Sequence, residues 1–464
     1  ISDLNIIKST LMSPKTAHII GLGLSGLSAA KLLISEGWNL IGSDDSEDLD
    51  NSSLVMELER DGMEFYLHGH DKALNQLVDL VIVSPGVPPH SSVISTRISQ
   101  GVEIIGEVEL GWRHCNGKLV AITGSNGKST TTALLGEMFA HSDQPSFICG
   151  NIGLPICDIA QQTTPDSLIA MEVSSYQLMS IVNFKPDVSV LLGISPDHLE
   201  YHGSFENYIA AKSRIFMNQS SSDYLVYSSD DEVVNSLVEK VNPQKVGFSI
   251  IPESKNIDQN RLYTGLNRDV NVKVNINDYQ LPGKHNQRNA LAAMISALLI
   301  GVSPENIERG IRTFNGLPHR LEMVKEIEDV IYYNDSKATN PESTLCALEA
   351  MVRPTVLIAG GQSKGGGFRM MRKIVSEKVT NLILIGECAD EIEADVGDSC
   401  PVHNIGRLQE SVALAAKLAK SGDAVLLSPM AASFDMFVNF EERGAIFKEL
   451  VRKLSLRNVN HNLG

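Results

Sequence analysis

The chain has 464 residues, which is too long for one ordinary hydrophobic core and predicts about three domains. Hydrophobic residues make up 43% and charged residues 20%, close to the globular average, which excludes a disordered or fibrous class. The net charge of −17 argues against general nucleic-acid binding, because an acidic surface repels a phosphodiester backbone.

The cysteine pattern and the hydropathy favour a cytoplasmic protein. Six cysteines are scattered without a CxxC pair, which suits reduced thiols better than a disulfide framework or a zinc site. No stretch approaches the roughly 18 uninterrupted apolar residues that a membrane span needs. The first residues show no basic segment followed by an apolar core and a cleavage site. We therefore expect neither secretion nor membrane insertion.

Short apolar runs alternate with helical patterns along almost the whole chain, which predicts a parallel α/β architecture. The predicted strands are Thr16–Ile20, Asn39–Ser43, Leu77–Val83, Lys118–Ile122, Leu168–Val173, Val188–Ile194, Thr355–Ala359, Leu382–Ile385 and Ala424–Leu427. Residues 218–278 are polar and irregular, which indicates outer strands and loops. Breaks in the pattern predict domains at 1–115, 116–316 and 317–464. Many strands end in small or polar residues, and ligands of open parallel sheets collect beyond the carboxyl ends of the strands.

The first motif is GLGLSG at residues 21–26, directly after the first predicted strand. With Asp44 and Asp45 about 20 positions further on, it has the form of a dinucleotide fingerprint. An NAD(P)-dependent oxidoreductase is therefore one hypothesis. The same turn also suits a diphosphate in a mononucleotide-type domain, or tight packing alone. No other segment resembles a hydride-transfer site, which favours the diphosphate. SPGVP at residues 84–88 would form part of the same crevice.

The strongest local signal is TGSNGKST at residues 123–130, where a strand leads through a glycine turn into a helix. Gly124 and Gly127 allow backbone N–H groups to point into one concavity at a helix N-terminus. Lys128 can reach the β- and γ-phosphates, and the hydroxyl of Ser129 or Thr130 can ligate Mg²⁺. The first glycine of the usual GxxxxGK pattern is missing, so the motif is a variant. It predicts a phosphate loop.

Two later strand ends and one helix carry groups that suit a metal site. Glu172 in EVSSYQ ends a buried strand, where an ionised carboxylate needs a partner or a metal. Asp197 and His198 follow the next strand, and Lys212 lies in an apolar helical segment. Taken singly, the Asp-His pair is a capped turn and Lys212 is a surface lysine whose stem covers apolar surface. Together with the phosphate loop they indicate a Mg²⁺ site that bridges phosphate to a second substrate.

The final third holds four polar segments that follow apolar strands: LPHR, NDSKATN, GGQSKGGG and SPMAASFDMFVNF. Each one alone would be a solvated loop. Cations among small residues at these places instead suggest an anion-binding face. Before them, Asn286 and Asn289 begin an alanine-rich helix, where they either cap it or face a nucleotide base.

Together these segments closely resemble the Mur ligase family over essentially the whole chain. The resemblance implies three domains with mainly parallel sheets: an N-terminal Rossmann-like domain for a UDP-sugar, a central P-loop ATPase-like domain and a C-terminal Rossmann-like domain. It implies an ATP-dependent ligase, acting as a monomer, that joins D-glutamate to UDP-N-acetylmuramoyl-L-alanine through an acyl phosphate, in peptidoglycan synthesis. The segments that carry it are TGSNGKST, EVSSYQ, the spacing from PDH to Lys212, GKHNQRNA, LPHR, NDSKATNP and SFDMFVNFEERG.

The resemblance also implies roles for individual residues. The catalytic residues would be Lys128, His198 and Lys212. ATP would be bound by Gly124, Asn126, Gly127, Lys128, Ser129, Thr130, Asn286, Asn289, Arg320 and Asp335. Two Mg²⁺ ions would be held by Ser129, Glu172, His198 and Lys212, the last as a carbamate formed with CO₂. The UDP-sugar would be contacted by Ser25, Ser84 and Asn151. D-Glutamate would be bound by Lys337, Thr339, Lys364, Ser433, Asn439 and Phe440.

One departure and two further hypotheses accompany the resemblance. Some family members have a Thr-Arg pair after the second strand, where this chain has Asp45-Ser46, so arginine help for uridine or diphosphate is absent there. A folate polyglutamylating ligase shares the ATPase core, but it is not expected to carry the GLGLSG domain. A non-catalytic nucleotide-binding module is the other hypothesis. The sequence does not fix the stereochemistry of the acceptor amino acid.

Overall fold

The computed structural model describes residues 14–46, 53–249, 257–258, 261–267, 270–275, 279, 281, 283–363, 365 and 367–454. The described residues divide into two compact units. The first draws on residues 1–274 and 289–311, and the second on residues 275–288 and 312–464. Within these ranges no helix combines the length and apolar character that crossing a membrane requires.

The first unit begins with a sheet that is parallel in all its described pairings. Its described strands are Thr16–Ile20 (β1), Asn39–Asp44 (β2), Glu64–Leu67 (β3), Leu80–Val83 (β4) and Glu103–Gly106 (β5). Their order is β3-β2-β1-β4-β5. The accompanying helices are Leu24–Ser35 (α1), Ser53–Arg60 (α2), Asp71–Leu74 (α3), Ser92–Ser99 (α4) and Glu107–His114 (α5). The central strands β1 and β4 are buried along almost their whole length, as their apolar sequences require.

A second parallel sheet follows in the same unit. Its described strands are Lys118–Thr123 (β6), Ser146–Gly150 (β7), Leu168–Glu172 (β8), Val188–Leu191 (β9), Tyr224–Ser228 (β10) and Gln244–Phe248 (β11). Their order is β11-β10-β9-β6-β8-β7. The helices of this stretch are Lys128–Ala140 (α6), Ile156–Ile159 (α7), Ser175–Leu178 (α8), Leu199–His202 (α9), Phe205–Ser213 (α10) and Glu232–Val238 (α11), with 3₁₀ turns at Ala160–Gln162 and Arg214–Phe216. The strand β6 lies in the interior of this sheet, with β8 and β9 beside it.

Three more strands follow among the described residues: Ile257–Asp258 (β12), Arg261–Asn267 (β13) and Val270–Asn275 (β14). The pair β12 and β13 is antiparallel. Two helices come next, Lys284–Leu299 (α12) and Pro304–Thr313 (α13).

Buried carboxylates on α5 join the two sheets of the first unit. The Glu109 carboxylate accepts hydrogen bonds from the backbone N–H groups of residues 182–184, at 2.8–3.1 Å. Glu107 Oε1 accepts from the backbone N–H of Cys157 at 2.8 Å. Since α5 leads directly from β5 to β6, these bonds fix the first sheet against the loops of the second.

The second unit contains one sheet, parallel except at one edge. Its described strands are Glu322–Ile327 (β15), Val330–Asn334 (β16), Thr355–Gly360 (β17), Val379–Ile385 (β18), Val402–Gly406 (β19) and Ala424–Leu427 (β20). The order is β15-β16-β20-β17-β18-β19, with β15 antiparallel to β16. Its helices are Pro341–Ala350 (α14), Arg372–Lys378 (α15), Ala389–Val396 (α16), Leu408–Leu418 (α17) and Phe440–Lys453 (α18), with a 3₁₀ turn at Arg369–Met371.

The predicted fold class, α/β with mainly parallel sheets, is confirmed, and all nine predicted segments contain strands. The ends differ by more than one residue at three strands: the third starts at Leu80 rather than Leu77, the sixth ends at Leu191 rather than Ile194, and the eighth starts at Val379 rather than Leu382. Residues 218–278 include the helix α11, which the sequence reading had not separated from the strands and loops there. The domain limits 1–115, 116–316 and 317–464 stay predictions.

Candidate active site

Two glycines shape the phosphate loop between β6 and α6. Gly124 has φ of +154° and Gly127 has φ of +86°, values that L side chains rarely adopt. A Cβ on Gly124 would lie 2.6 Å from the Cβ of Leu192, and a Cβ on Gly127 would clash with the Asn289 side-chain oxygen. The glycines are therefore required both by the backbone conformation and by the close approach of Leu192 after β9 and of Asn289 in α12.

Lys128 begins α6 and folds back over the loop. Its Nζ donates hydrogen bonds to the carbonyl oxygens of Gly124 and Ser125, both at 2.9 Å. Ser129 and Thr130 follow in the first helical turn and are buried. The Ser125 hydroxyl donates to the Ser195 carbonyl at 2.8 Å, which ties the phosphate loop to the loop after β9. An ammonium group beside a helix N-terminus favours a polyphosphate at this place.

Glu172 ends β8, opposite Ile122 of β6, and is 1% exposed. Its Oε1 accepts a hydrogen bond from the Asn151 side-chain amide at 2.8 Å. Its Oε2 has no hydrogen-bond partner among the described residues. Leaving a buried charged oxygen unpaired costs roughly 1–3 kcal/mol or more. The position therefore suits a bound cation, and Asn151 lies directly beside it.

Lys212 is buried within α10 and 1% exposed, so the surface-lysine interpretation is wrong. Its Nζ donates to the Gly124 carbonyl oxygen at 2.8 Å and lies 4.6 Å from the centre of the Tyr208 ring. Burial above all, with the Lys128 charge beside it, lowers the pKa of Lys212 well below its ordinary value. A neutral amine has a free electron pair, which is what a reaction with CO₂ requires.

His198 adopts a left-handed backbone conformation, with φ of +53°, just before α9. Its Nε2 lies 3.5 Å from Asp197 Oδ2, and its ring packs against the Tyr176 ring at a centroid distance of 5.2 Å. Positive φ in a residue other than glycine is uncommon, and such strain tends to cluster at functional sites. The imidazole, 41% exposed, is held at the surface of the loop after β9.

These side chains fit Mg²⁺ only together with other ligands. Mg²⁺ prefers octahedral oxygen ligands and usually keeps several waters. In the described part of the chain, no group of three or more His, Cys, Asp and Glu side chains is placed to hold a metal alone. The Ser129 hydroxyl and Glu172 Oε2 fit an ion that takes its remaining ligands from phosphate and water. His198 and Lys212 fit a second ion only if Lys212 carries an anionic group.

The two predicted asparagines of α12 are both buried. The side-chain oxygen of Asn289 lies against Gly127 of the phosphate loop. Asn289 belongs to the first compact unit, whereas Asn286 belongs to the second. Asn126, also predicted to bind ATP, is exposed at the tip of the loop.

In the first sheet, Ser84 supports the glycine turn after β1. Its hydroxyl donates to the Gly21 carbonyl oxygen at 2.6 Å. Gly21 has φ of +86°, and a Cβ there would lie 2.8 Å from the Ser84 Cβ. Ser25 is half-buried in the first turn of α1. The two predicted UDP-sugar residues of this sheet therefore lie at one crevice. The Ser84 hydroxyl already donates its hydrogen to Gly21, so toward a ligand it can act only as an acceptor.

A cavity of about 530 Å³ lies beyond Ser84, between the first sheet and the loops of the second. Apolar side chains dominate its lining, together with Tyr176 and Tyr201. The Tyr201 hydroxyl lies 3.4 Å from the carbonyl oxygens of Pro85 and Val87. Because Tyr176 also packs on His198, the cavity adjoins the candidate metal site.

In the second unit, Asp335 follows β16 and is buried with both oxygens hydrogen-bonded. Oδ1 accepts from the Leu321 backbone N–H at 3.1 Å, and Oδ2 accepts from the Ser428 hydroxyl at 2.7 Å. Burial raises the pKa of Asp335 to about 7, against the effect of these hydrogen bonds and of the nearby Arg320 charge. Asp335 and Arg320 therefore lie together at the carboxyl edge of this sheet.

The predicted glutamate-binding residues of the second unit occupy loops at the same edge. Lys337 Nζ lies 5.0 Å from the centre of the Phe440 ring. Asn439 caps α18, with its side-chain oxygen accepting from the Glu442 backbone N–H at 2.8 Å. Ser433 is buried and Thr339 is half-buried. Lys364 lies outside the described residues.

Arg443 is a residue that the sequence reading missed. It is fully buried in α18 and donates to the carbonyl oxygens of Ser336 at 2.9 Å, Ala431 at 3.2 Å and Ala432 at 3.3 Å. Its Nε also donates to the Ser336 hydroxyl at 3.0 Å. The sequence did contain an indication of this burial. Arg443 precedes the apolar positions 447 and 451 by four and eight residues, a spacing that puts it on the buried face of the helix.

Family models match three successive parts of the chain. They are the Mur ligase MurD-like N-terminal domain over residues 15–106, the Mur ligase middle domain over residues 122–297 and the Mur ligase glutamate ligase domain over residues 319–430. The chain belongs to the Mur ligase family.

Relatives within the family match almost end to end. The Mur ligase described here is 42% identical to UDP-N-acetylmuramoylalanine--D-glutamate ligase of Alkaliphilus metalliredigens, over 95% of this chain and 98% of the relative. It is 38% identical to the protein of the same name from Clostridioides difficile, over 95% of this chain and 99% of the relative.

Solved Mur ligases share the fold. UDP-N-acetylmuramate-alanine ligase MurC of Thermotoga maritima matches with a TM-score of 0.58 at 18% identity, over 94% of this chain and 99% of that one. MurF ligase of the same organism, in complex with ADP, matches with a TM-score of 0.61 at 16% identity, over 89% and 95%. At such identities the likeness concerns the fold alone, and it agrees with the three predicted domains.

Proposed function

We propose that this Mur ligase joins D-glutamate to UDP-N-acetylmuramoyl-L-alanine in the cytoplasm, cleaving ATP to ADP and phosphate, in the synthesis of peptidoglycan precursors. The observation that carries the proposal is the 42% and 38% identity, over 95% of the chain, to proteins named for that reaction. The candidate site supplies chemistry of the kind such a reaction needs: a phosphate loop beside a buried carboxylate and a buried amine.

In the first step the substrate carboxylate attacks the γ-phosphorus of ATP in line, and ADP leaves. Lys128 and the N–H groups of its loop hold the β- and γ-phosphates and stabilise the charge that develops there. Mg²⁺ at Ser129 and Glu172 would offset further negative charge on the phosphates. Asn151, hydrogen-bonded to Glu172, would contact the peptide end of the UDP-sugar or its phosphates.

In the second step the amine of D-glutamate attacks the acyl carbon. The new C–N bond forms, the bond from carbon to the phosphate oxygen breaks, and the nitrogen loses a proton. Lys337, Thr339, Lys364, Ser433, Asn439 and Phe440 are the residues proposed to bind the amino acid. Asp335 and Arg320, with Asn286 and Asn289, are proposed for the nucleotide.

Lys212 is proposed to act as a carbamate. Its neutral amine attacks CO₂, the N–C bond forms, and the loss of one proton leaves an anion. With His198, this anion would hold a second Mg²⁺. The support is the burial of the amine and the lowered pKa of Lys212, which results although the charges of Asp197 and Glu172 act in the opposite direction on that pKa.

The match of residues 15–106 to a MurD-like N-terminal domain favours this function over a folate polyglutamylating ligase. It also accounts for the GLGLSG turn without an NAD(P)-dependent oxidoreductase. The monomeric state stays a prediction.

The proposal is tested by phosphate release from ATP with UDP-N-acetylmuramoyl-L-alanine and a panel of D- and L-amino acids. We expect release with D-glutamate and little with L-glutamate or D-aspartate. A Lys128→Ala variant controls for contaminating ATPases. Release that depends on another amino acid, or a Lys128→Ala variant as active as the wild type, would contradict the proposal.

A further inference from the structure

The helix α9, which begins directly after His198, has four residues and ends at His202. The His198 carbonyl oxygen accepts hydrogen bonds from the backbone N–H groups of Tyr201 at 3.2 Å and of His202 at 3.1 Å. The flanking residues His198 and Gly203 both have left-handed backbone conformations, with φ of +53° and +76°. A helix this short is not stable by itself. The position of His198 therefore depends on the contacts that hold α9 against the rest of the unit.

The His202 side chain supplies such contacts. It is only 6% exposed, although an imidazole is polar. The ring packs against the rings of Tyr176, Tyr201 and Tyr208, with centroid distances of 5.5, 5.2 and 5.3 Å. Its Nε2 lies 3.0 Å from the hydroxyl oxygen of Ser175, which is itself buried. Because a buried polar ring needs a hydrogen-bond partner, the bond to Ser175 fixes where the ring lies among the tyrosines.

Ser175 belongs to a rigid segment at the end of β8. Glu172, proposed for the first Mg²⁺, lies three residues before it, at the end of the strand. The Ser174 hydroxyl accepts from the Gln177 backbone N–H at 3.2 Å, and Gln177 Oε1 accepts from the Ser174 backbone N–H at 2.9 Å. This capping box fixes the start of α8. The Ser175 hydroxyl therefore has a defined position relative to Glu172.

We propose that His202 is a positioning residue of the ligation reaction, whose hydrogen bond with Ser175 holds His198 where it can ligate the second Mg²⁺. Since Ser175 and Glu172 belong to one rigid segment, the same bond sets the two proposed metal positions relative to each other. The inference rests on the proposed function. It adds to the site a residue that acts through His198 and contacts neither metal nor substrate.

A role in packing alone makes a different prediction from a role through the bond. If the His202 ring only fills space among the tyrosines, phenylalanine should replace it at least as well as glutamine. If the bond to Ser175 matters, glutamine should be the better replacement, because its amide can make that bond. Burial, above all, lowers the pKa of His202, so the ring is neutral at pH 7 and a neutral amide is a suitable substitute.

The first test compares His202→Phe and His202→Gln by steady-state phosphate release. We expect His202→Phe to lower kcat about 30-fold and His202→Gln about threefold, with the KM for ATP within about twofold of the wild type in both. The control is His141→Phe, at a half-buried histidine that ends α6, and it should keep the wild-type rate. A His202→Phe variant as active as His202→Gln, or a KM for ATP that changes as much as kcat, would overturn the proposed role.

Ser175→Ala removes the other partner of the bond with a smaller change, and it decides the matter if circular dichroism shows that His202→Phe does not fold. Alone it should lower kcat about tenfold. The double variant Ser175→Ala/His202→Phe should be no slower than His202→Phe, because the bond is already lost in the single variant. An unchanged kcat in Ser175→Ala, or additive effects in the double variant, would contradict the inference.

The second test measures metal binding without turnover. Mn²⁺ replaces Mg²⁺, and electron paramagnetic resonance measures the free ion in bicarbonate buffer with a non-hydrolysable ATP analogue and UDP-N-acetylmuramoyl-L-alanine. We expect the wild type to bind two ions, and Ser175→Ala to bind the first equally well and the second about tenfold more weakly. Equal binding of both ions by variant and wild type would overturn the inference.

The two proposals can fail separately in this test. A wild type that binds a single Mn²⁺, yet ligates D-glutamate, would overturn the role of His202 alone. A wild type that binds two ions, loses the second in Ser175→Ala and ligates a different amino acid would contradict the proposed function and support the role of His202.

Discussion

At the scale of single residues, Lys212 illustrates how burial changes chemistry. A surface lysine stays protonated in neutral solution, whereas the Lys212 amine is removed from water and lies beside another cation, Lys128. Both effects disfavour the ammonium form. Conversion to a carbamate would replace a disfavoured cation by an anion that can hold Mg²⁺ beside His198. The side chain is therefore better suited to modification than to a role as a charged lysine.

Replacing Lys212 by Ala or Met should lower the rate of ligation by about 100-fold or more, because the proposed metal ligand would be lost. Wild-type activity should fall in buffer depleted of CO₂ and return when bicarbonate is added. Phosphate release measures both effects. Lys245→Ala, at an exposed lysine of the same unit, is the matched control and should leave the rate unchanged. Full activity without CO₂ would refute the carbamate.

Glu107 is a second buried group with an altered pKa. Burial, as the largest cause, raises the pKa of Glu107 to about 7, and its Oε2 has no hydrogen-bond partner among the described residues. A raised acid pKa means that the folded state favours the protonated form. The resulting stability is fully present below the unfolded pKa near 4.5 and is lost as the pH rises through about 7.

The Glu107→Gln variant should therefore show a flatter dependence of unfolding free energy on pH than the wild type. The difference between the two should change by on the order of 3 kcal/mol from pH 4.5 to pH 8. Urea unfolding at several pH values measures it. Asp335 also has a raised pKa, but it is present in both proteins and cancels in the comparison. Glu59→Gln, at an exposed acid, should follow the wild type; identical curves for Glu107→Gln would contradict the assignment.

At the scale of elements, α18 organises three loops of the second unit through Arg443. The guanidinium contacts Ser336 after β16, the carbonyl oxygen of Gly360 at the end of β17, and Ala431 and Ala432 after β20. Burial lowers the pKa of Arg443 to about 10, which still leaves the group charged at neutral pH. These loops carry most of the residues proposed to bind D-glutamate, so one buried cation sets their spacing.

Arg443→Lys should raise the KM for D-glutamate about tenfold, because an ammonium group cannot reproduce the planar set of five donors. The KM values for ATP and for the UDP-sugar should change much less. Steady-state kinetics with each substrate varied in turn separates these effects, with circular dichroism to verify folding. Arg452→Lys, an exposed position of the same helix, is the control. Equal changes in all three KM values would indicate a general loss of structure instead.

The elements that sequence reasoning found and missed differ in burial. The interior strands β1, β6, β17 and β20 are mainly apolar, and their positions were predicted within one residue at each end. The strands β3, β5, β7, β15, β16 and β19 were not predicted. Each of them includes half-buried or exposed positions, and such mixed patterns are hard to distinguish from those of loops.

In the candidate site, too, some features could be predicted from the sequence and others could not. The phosphate loop could be predicted, because a strand, a glycine turn and a helix are local features. The burial of Lys212, the unpaired oxygen of Glu172 and the hydrogen bond between Ser175 and His202 could not be predicted. They depend on contacts between residues far apart in sequence, and a helix as short as α10 does not by itself show which face is buried.

At the scale of the whole molecule, a net charge of −17 has to be reconciled with two substrates that carry phosphates. The described structure gathers cations at particular strand ends, with Lys128 at the second sheet and Arg320 and Lys337 at the third. Buried carboxylates such as Glu172 lie beside the first of these, where Mg²⁺ would balance the charge. The net negative charge disfavours nucleic-acid binding in general without preventing the binding of nucleotides at these places.

The central claim is that the loop carrying Lys128 holds the triphosphate of ATP beside Glu172. A crystal structure with a non-hydrolysable ATP analogue, Mg²⁺ and UDP-N-acetylmuramoyl-L-alanine tests it most directly. We predict β- and γ-phosphates within hydrogen-bond distance of Lys128 Nζ, and a Mg²⁺ ion ligated by Glu172 Oε2. A triphosphate bound at any other place, with the Lys128 loop free of ligand, would contradict the account.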